Sequence, residues 1–121
     1  MSEDALAQIR SELESEFTRL RAQVDEDERE LTIEGKSVGI QTAGDDEADR
    51  GAKLSQHEQQ ASLASNAQLL LAQTAMALGR IEAGAYGTCT SCSAAIGTAR
   101  LQAFPRVTTC LSCQHEAERR R

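Results

Sequence analysis

The sequence has few of the large side chains that usually fill a protein core. Its 121 residues include no tryptophan, one tyrosine and two phenylalanines, and proline occurs once. A single thick globular core is therefore not expected from a chain of this length. Narrow packing of helix against helix, together with a metal ion that stabilises a small module, suits this composition better.

Long apolar runs are missing as well. Residues 59–79 carry no charge, but their glutamine, serine, asparagine and threonine side chains make them too polar for a membrane span. No apolar leader with a small-residue cleavage site is recognisable before the cysteines, which predicts a reducing, cytoplasmic setting. Such a setting favours metal binding over disulfides for the four cysteines.

Positive charge is scarce in the first half. Residues 1–56 carry 15 acidic and 7 basic side chains, whereas residues 57–121 carry 4 and 6. An acidic half repels the phosphates of nucleic acid, so generic electrostatic binding to DNA along the whole molecule is disfavoured.

Two stripes of apolar side chains, mostly three or four positions apart, predict two long helices. We expect the first helix to begin at the N-cap Ser2 and to end near Glu34, because glycines at positions 35, 39 and 44 indicate a turn. Four carboxylates then favour the start of a second helix, which Gly84 and Gly87 end. The stripes consist of Leu6, Ile9, Leu13, Phe17, Leu20, Val24 and Leu31 in the first helix and Leu63, Ala67, Leu70, Thr74, Ala77 and Ile81 in the second.

A short reversal between these helices predicts an antiparallel coiled-coil hairpin over residues 1–83, with an acidic tip near residues 45–51. From the residues alone, the tip has two interpretations. Its carboxylates are either a helix cap in a solvated turn or a functional surface.

The four cysteines have the spacing of a zinc site. Cys89-x-x-Cys92 and Cys110-x-x-Cys113 are separated by 17 residues, and each pair can present two sulfurs to one ion in a closed tetrahedron. This arrangement predicts one structural Zn²⁺, bound by all four cysteines, in a finger over residues 84–121. The alternatives are a thioredoxin-type redox pair, an iron–sulfur cluster and two disulfides.

The rest of the finger is expected to support this site. Leu101, Phe104 and Pro105 are predicted to pack beneath the zinc loop. Residues 114–121 are predicted to form a short terminal helix.

The residues around the cysteines form a pattern that extends upstream. They read Tyr86-Gly87-Thr88-Cys89-Thr90-Ser91-Cys92, then Ile96-Gly97, Arg100-Leu101, Ala103, Pro105 and Cys110-Leu111-Ser112-Cys113. This pattern resembles the zinc finger of the DksA/TraR family. That family also carries Asp-x-x-Asp-x-Ala at the tip of a helical hairpin. Asp46, Asp49 and Gly51 occupy the corresponding positions, with Gly51 in place of the alanine.

The resemblance implies a transcription regulator that binds RNA polymerase rather than promoter DNA. Its hairpin would enter the secondary channel, through which nucleotides reach the active site, and the acidic tip would modulate initiation. In long relatives, guanosine tetraphosphate is held partly by basic residues, whose positions here are Gln73, Phe104 and Gln114. We therefore expect a weak or absent response to that nucleotide.

The predicted fold is mainly α: an antiparallel helical hairpin, then a small four-Cys zinc finger and a short C-terminal helix. We expect the protein to be a monomer. We also expect that it is not an enzyme, because no catalytic motif is recognisable in the sequence. Two other functions fit the residues. They are a zinc-ribbon nucleic-acid-binding protein and a coiled-coil dimerising adaptor with structural zinc.

Overall fold

The computed structural model of the protein describes the backbone of residues 1–40 and 47–120 and the side chains of residues 1–32 and 50–120. This part of the chain forms four helices and one isolated antiparallel bridge, and none of these helices is long and apolar enough to cross a membrane. The predicted mainly α fold is confirmed. The helices are α1 (Glu3–Ile40), α2 (Glu47–Glu82), α3 (Thr98–Ala103) and α4 (Leu111–Arg119).

Helix α1 starts where the sequence predicts and ends later. The hydroxyl oxygen of Ser2 accepts a hydrogen bond from the N–H of Ala5 at 3.2 Å, as an N-cap does. The predicted end near Glu34 is wrong, because α1 continues through Gly35 and Gly39. A glycine inside a helix costs roughly 1 kcal/mol relative to alanine but keeps its backbone hydrogen bond, whereas proline would lose it.

Helix α2 begins within the predicted run of carboxylates, at Glu47. The predicted turn residue Gly44 lies outside the described residues. Gly84 and Gly87 follow the end of α2 with φ angles of +74° and +92°, a left-handed conformation that favours glycine. The N–H of Ala85 returns to the carbonyl of Arg80 at 2.9 Å, so the predicted glycine-rich helix end is confirmed.

The inward face of α2 departs from the predicted stripe at one position. Leu63 is 68% exposed, and the adjacent Ala64 is 5% exposed. Consecutive residues lie about 100° apart around a helix, so a shift of one residue moves a side chain from the interface to solvent. The remaining stripe residues are buried or half-buried, with Ala67, Thr74, Ala77 and Ile81 buried.

Contacts between residues divide the chain into two compact units. The anchor unit comprises Met1–Phe17 and Ala72–Arg121, and the distal unit comprises Thr18–Leu71. Each unit groups a segment of α1 with a segment of α2, and the start of α1 is grouped with the end of α2. This reversed pairing is that of an antiparallel hairpin. The predicted domain boundary between residues 83 and 84 stays a prediction.

The anchor unit contains the core on which the cysteine module rests. Leu101 of α3 is 1% exposed, but Phe104, which was expected to pack beside it, is 62% exposed. Phe104 is the C-cap residue that follows α3, and its backbone N–H returns to the carbonyl of Arg100. Leu101 therefore fills the inward position of this short helix and leaves Phe104 outside. The core cluster consists of Ile9, Leu13, Ala77, Ile81, Cys89, Ile96 and Leu101.

Candidate metal centre

The first cysteine pair lies in a tight turn closed by backbone hydrogen bonds. The N–H of Cys89 donates to the carbonyl of Ala94 at 2.8 Å, and the N–H of Ser93 donates to the carbonyl of Cys89 at 3.0 Å. Ser93 has a φ of +65°, which lets the chain reverse within a few residues. The turn directs its backbone N–H groups toward sulfur, since Ser91 N lies 3.4 Å from Cys89 Sγ.

The second pair lies at the start of α4. Cys110 is the N-cap residue of this helix, and its carbonyl accepts from the N–H of Gln114 at 3.0 Å. Cys113 follows in the first helical turn. The helix therefore begins at residue 111, earlier than the predicted start at residue 114, because Cys110 caps it and Cys113 lies in its first turn.

A short bridge joins the two pairs across 18 residues of sequence. The backbone N–H of Thr90 donates to the carbonyl of Thr108 at 2.9 Å, and the Thr90 hydroxyl donates to the same oxygen at 3.2 Å. One threonine between the first two cysteines thus holds the segment that leads to the other two. These two hydrogen bonds join the segments that carry the two pairs.

The four sulfurs are arranged for one tetrahedral ion. The ligand atoms of Cys89, Cys92, Cys110 and Cys113 all lie within 4.8 Å of one another, and Cys92 Sγ is 3.7 Å from Cys110 Sγ. Zinc–sulfur bonds of about 2.3 Å at the tetrahedral angle place sulfurs about 3.8 Å apart. All four cysteines are free of disulfides. The donor set and its spacing fit one structural Zn²⁺.

Backbone dipoles prepare the sulfurs to bind a cation. The N–H groups of Cys110 and Cys92, with that of Ser91, lower the pKa of the Cys89 thiol to about 6. The N–H of Cys113 lowers the pKa of Cys110. Conversely, the neighbouring sulfurs, first that of Cys110, raise the pKa of Cys113 to about 12. Four thiolates repel one another in this space, so a divalent cation is needed to hold them together.

A hydrophobic floor supports the first pair. Cys89 is 2% exposed and belongs to the same cluster as Ile96, Leu101 and the facing residues of α1 and α2. The hydroxyl of Tyr86 donates to the carbonyl of Pro105 at 2.8 Å, and burial raises the pKa of this phenol. In contrast, Cys92 is exposed. The site is therefore buried on the hairpin side and open toward solvent on the other.

The structure leaves the predicted tip largely untested. Asp46 lies outside the described residues, and the described side chains resume after Asp49. Asp49 and Gly51 belong to the first turns of α2, so both are helical. Gly51 is exposed, and a methyl group added there would meet nothing within 4 Å.

Three positions singled out by the family resemblance lie together. Gln73, Phe104 and Gln114 line one open groove of about 600 Å³ in the anchor unit. The groove also contains Arg100 and Arg106, whose positions in it could not be predicted from the spacing of residues in the sequence. The Nε of Arg100 donates to a backbone carbonyl, and Arg106 forms an ion pair with a carboxylate of α1, so both cations already have partners.

Comparison with known proteins supports this description of the finger. Residues 84–119 match the family described as the prokaryotic dksA/traR C4-type zinc finger. The whole chain is similar to the solved structure of transcription factor DksA2 from Pseudomonas aeruginosa, with a TM-score of 0.79 and 28% sequence identity. That match covers 99% of this chain and 88% of the other. A comparison with curated protein sequences finds no match. The resemblance to the DksA/TraR family is confirmed.

Proposed function

We propose that this protein is a cytoplasmic transcription regulator that binds RNA polymerase through the secondary channel of the enzyme and modulates initiation. The observation that carries the proposal is the likeness to a transcription factor over 99% of the chain, with the zinc-finger family match inside it. In this role the protein performs no chemistry of its own. It shifts the population of polymerase conformations by binding one of them better.

The two ends of the hairpin would have different tasks. Helices α1 and α2 have 38 and 36 residues, which corresponds to lengths of about 57 and 54 Å at 1.5 Å per residue. A narrow pair of helices of this length can enter a channel that excludes a globular domain. The zinc finger would stay outside the channel and anchor the protein there. We propose that it is a separate domain that begins at residue 84.

The tip would act through charge. Asp46 and Asp49 stand three positions apart near the start of α2, a spacing that places side chains on one face when both are helical. Carboxylates delivered near the catalytic centre would change the electrostatic environment of the active-site Mg²⁺. We propose Asp46, Asp49 and Gly51 as the polymerase-directed tip on this basis.

The decisive experiment separates binding from activity. The double variant Asp46→Asn/Asp49→Asn should keep its affinity for RNA polymerase, because asparagine has the same size and caps helices as well as aspartate does. It should lose the effect on the lifetime of open promoter complexes. A matched control is Asp25→Asn/Glu28→Gln, which removes the same charge from two exposed positions three apart on α1. Its effect on lifetime should equal that of the wild type.

Two results would contradict this proposal. If the protein does not co-purify with core RNA polymerase and does not compete with a labelled copy for it, the polymerase function is wrong. If the Asp46/Asp49 double variant binds and still alters the open-complex lifetime as the wild type does, only the acidic-tip mechanism is wrong. A shift of duplex DNA at physiological salt would instead support the zinc-ribbon alternative.

Guanosine tetraphosphate is expected to bind weakly or not at all. Gln73, Phe104 and Gln114 supply no positive charge for phosphate, and the two arginines of the groove are already hydrogen-bonded or ion-paired. Calorimetry with the complex of this protein and RNA polymerase measures the response, with polymerase alone as control. Micromolar affinity that requires this protein would refute the expectation and assign the binding to Arg100 and Arg106.

A further inference from the structure

Two arginines, one for each cysteine pair, donate hydrogen bonds to the backbone just before that pair. The guanidinium of Arg80, in the last turn of α2, donates to the carbonyl of Thr88 and, at 3.3 Å, to the carbonyl of Ala85. The Nε of Arg100, in α3, donates to the carbonyl of Thr109 at 3.3 Å. Thr88 immediately precedes Cys89, the first ligand of its pair, and Thr109 stands in the same relation to Cys110.

We propose that Arg80 and Arg100 are positioning residues for the zinc site, each of which orients the first cysteine of one pair. The carbonyl of one residue and the N–H of the next belong to a single planar peptide group. Fixing the carbonyl oxygen therefore fixes the plane from which the following cysteine side chain projects. Rotation of this plane would move the sulfur away from the tetrahedral position.

The first pair shows the strongest version of this arrangement. The peptide group between Thr88 and Cys89 is held at both ends, because Arg80 binds its oxygen while its N–H donates to the carbonyl of Ala94 at 2.8 Å. In the second pair, Arg100 fixes the oxygen of Thr109. The bond from the N–H of Gln114 to the carbonyl of Cys110, at 3.0 Å, fixes the next peptide group.

Arginine suits this task for two physical reasons. Its guanidinium stays charged at every physiological pH and carries several donors in one plane, so Arg80 can serve two carbonyls at once. Hydrogen bonds from a charged donor are also stronger than neutral ones. The hydrogen bond of Arg100 is partly buried, which limits competition from water.

Arg80 also connects the metal site to the hairpin. Its own carbonyl accepts from the N–H of Ala85 at 2.9 Å, so the residue that orients Cys89 also closes the last turn of α2. Zinc binding and the order of this helix end are therefore linked, and linkage is reciprocal. Zinc binding should slow the exchange of the amide hydrogens of residues 83–85. This slowing should be smaller in a variant without the Arg80 guanidinium.

The test uses the full-length chain and zinc itself as the probe. The variants Arg80→Met and Arg100→Met keep most of the apolar stem of the side chain and remove its hydrogen-bond donors. Each should weaken zinc binding about 10–100-fold, which is the typical effect of losing a group that orients a metal ligand. Affinity is measured by competition with a chromophoric chelator. Cobalt absorption reports the tetrahedral geometry, and its ligand-field bands should shift in both variants.

Matched controls distinguish positioning from a general loss of charge. Arg106 belongs to the finger and pairs with Glu16 at 3.8 Å, and Arg119 is an exposed residue of α4 that pairs with Glu116. The variants Arg106→Met and Arg119→Met should therefore change zinc affinity less than about 2-fold. This is well below the effect of losing a group that orients a metal ligand. Arg80→Lys and Arg100→Lys keep one charged donor and should recover part of the affinity lost in the Met variants.

Three outcomes would overturn the proposal. The first is zinc affinity of both Met variants within the range of the controls. The second is an unshifted cobalt spectrum in variants that bind more weakly. The third is a Lys variant that binds as weakly as its Met counterpart and also loses helical circular dichroism, which would assign the arginine to folding in general. None of these measurements involves RNA polymerase.

Discussion

The anchor and distal units use the same two helices but are stabilised differently. Buried hydrophobic residues of the anchor unit include Ile9, Leu13 and Ile81, joined by Leu101 of the finger and the metal site. Among the described side chains of the distal unit, the buried ones are Leu20, Val24, Ala64 and Ala67. Alanines bury little apolar area, so the distal unit gains less free energy from packing.

This difference matches the proposed division of labour. A part that must hold its position on a partner benefits from a rigid core and a metal ion. A part that must act within a confined channel can be less stable, since regions that move or adapt are usually drawn from the low end of local stability. Three experiments sharpen the comparison between the units.

Loss of the metal should have the largest effect, and it should be confined to the anchor unit. Structural zinc contributes roughly 10–16 kcal/mol of binding free energy in small fingers at neutral pH. In Cys110→Ser, or after chelation, residues 84–121 should lose fixed structure while the distal unit stays helical. Circular dichroism measures the retained helix, and hydrogen exchange locates it.

The control for this experiment is Ser112→Ala, an exposed position between two ligands that should leave zinc binding unchanged. Complete loss of helix in Cys110→Ser would show that the hairpin depends on the ion. Metal analysis that finds iron in place of one equivalent of zinc would contradict the assignment of the site itself.

A matched pair of core deletions should have the next largest effect. Leu13 and Leu20 lie on the same face of α1, one in each unit, and are 2% and 3% exposed. Leu→Ala costs about 2–5 kcal/mol depending on the cavity that remains. We expect Leu13→Ala near the upper end, because its neighbours are large and fixed, and Leu20→Ala near the lower end.

Chemical denaturation measures these free energies of unfolding, and chelator competition adds a second readout. Leu13→Ala should also speed the release of zinc, since Leu13 and Cys89 belong to one cluster, whereas Leu20→Ala should not. Equal costs and equal zinc release for the two variants would remove the distinction between the units.

Glycine substitutions in α2 should have the smallest effects. Gly51 in the distal unit and Gly79 in the anchor unit are both helical, and an added methyl group would meet nothing within 4 Å at either. Each Gly→Ala change should stabilise the protein by about 0.4–1 kcal/mol, mainly by restricting the unfolded chain. Gly84→Ala is the contrasting control, because a φ of +74° makes alanine unfavourable by about 1–2 kcal/mol.

Thermal unfolding measures the change at each glycine. Destabilisation by Gly51→Ala would indicate that the start of α2 is not helical in solution. Gly51→Ala also tests the proposed tip, because a change in open-complex lifetime without a change in polymerase affinity would assign Gly51 a functional role.

The sequence by itself determined the features that depend on local spacing. Two cysteine pairs separated by 17 residues predict one four-sulfur site, because each pair brings its own sulfurs together through a short turn. The N-cap Ser2 and the glycines after α2 likewise act on their immediate neighbours. For the same reason the family pattern could be identified without a structure.

The tertiary structure decided what depends on partners distant in the sequence. Whether Leu63 or Ala64 faces inward follows from the register of the whole helix, and the spacing of apolar residues gave the wrong answer at this position. The exposure of Phe104 and the extension of α1 past Gly35 are further examples. Arg80 belongs to no motif in the sequence, and the family pattern that contains Arg100 does not indicate what its side chain contacts. Their roles exist only because folding brings each guanidinium to a carbonyl eight or nine residues away.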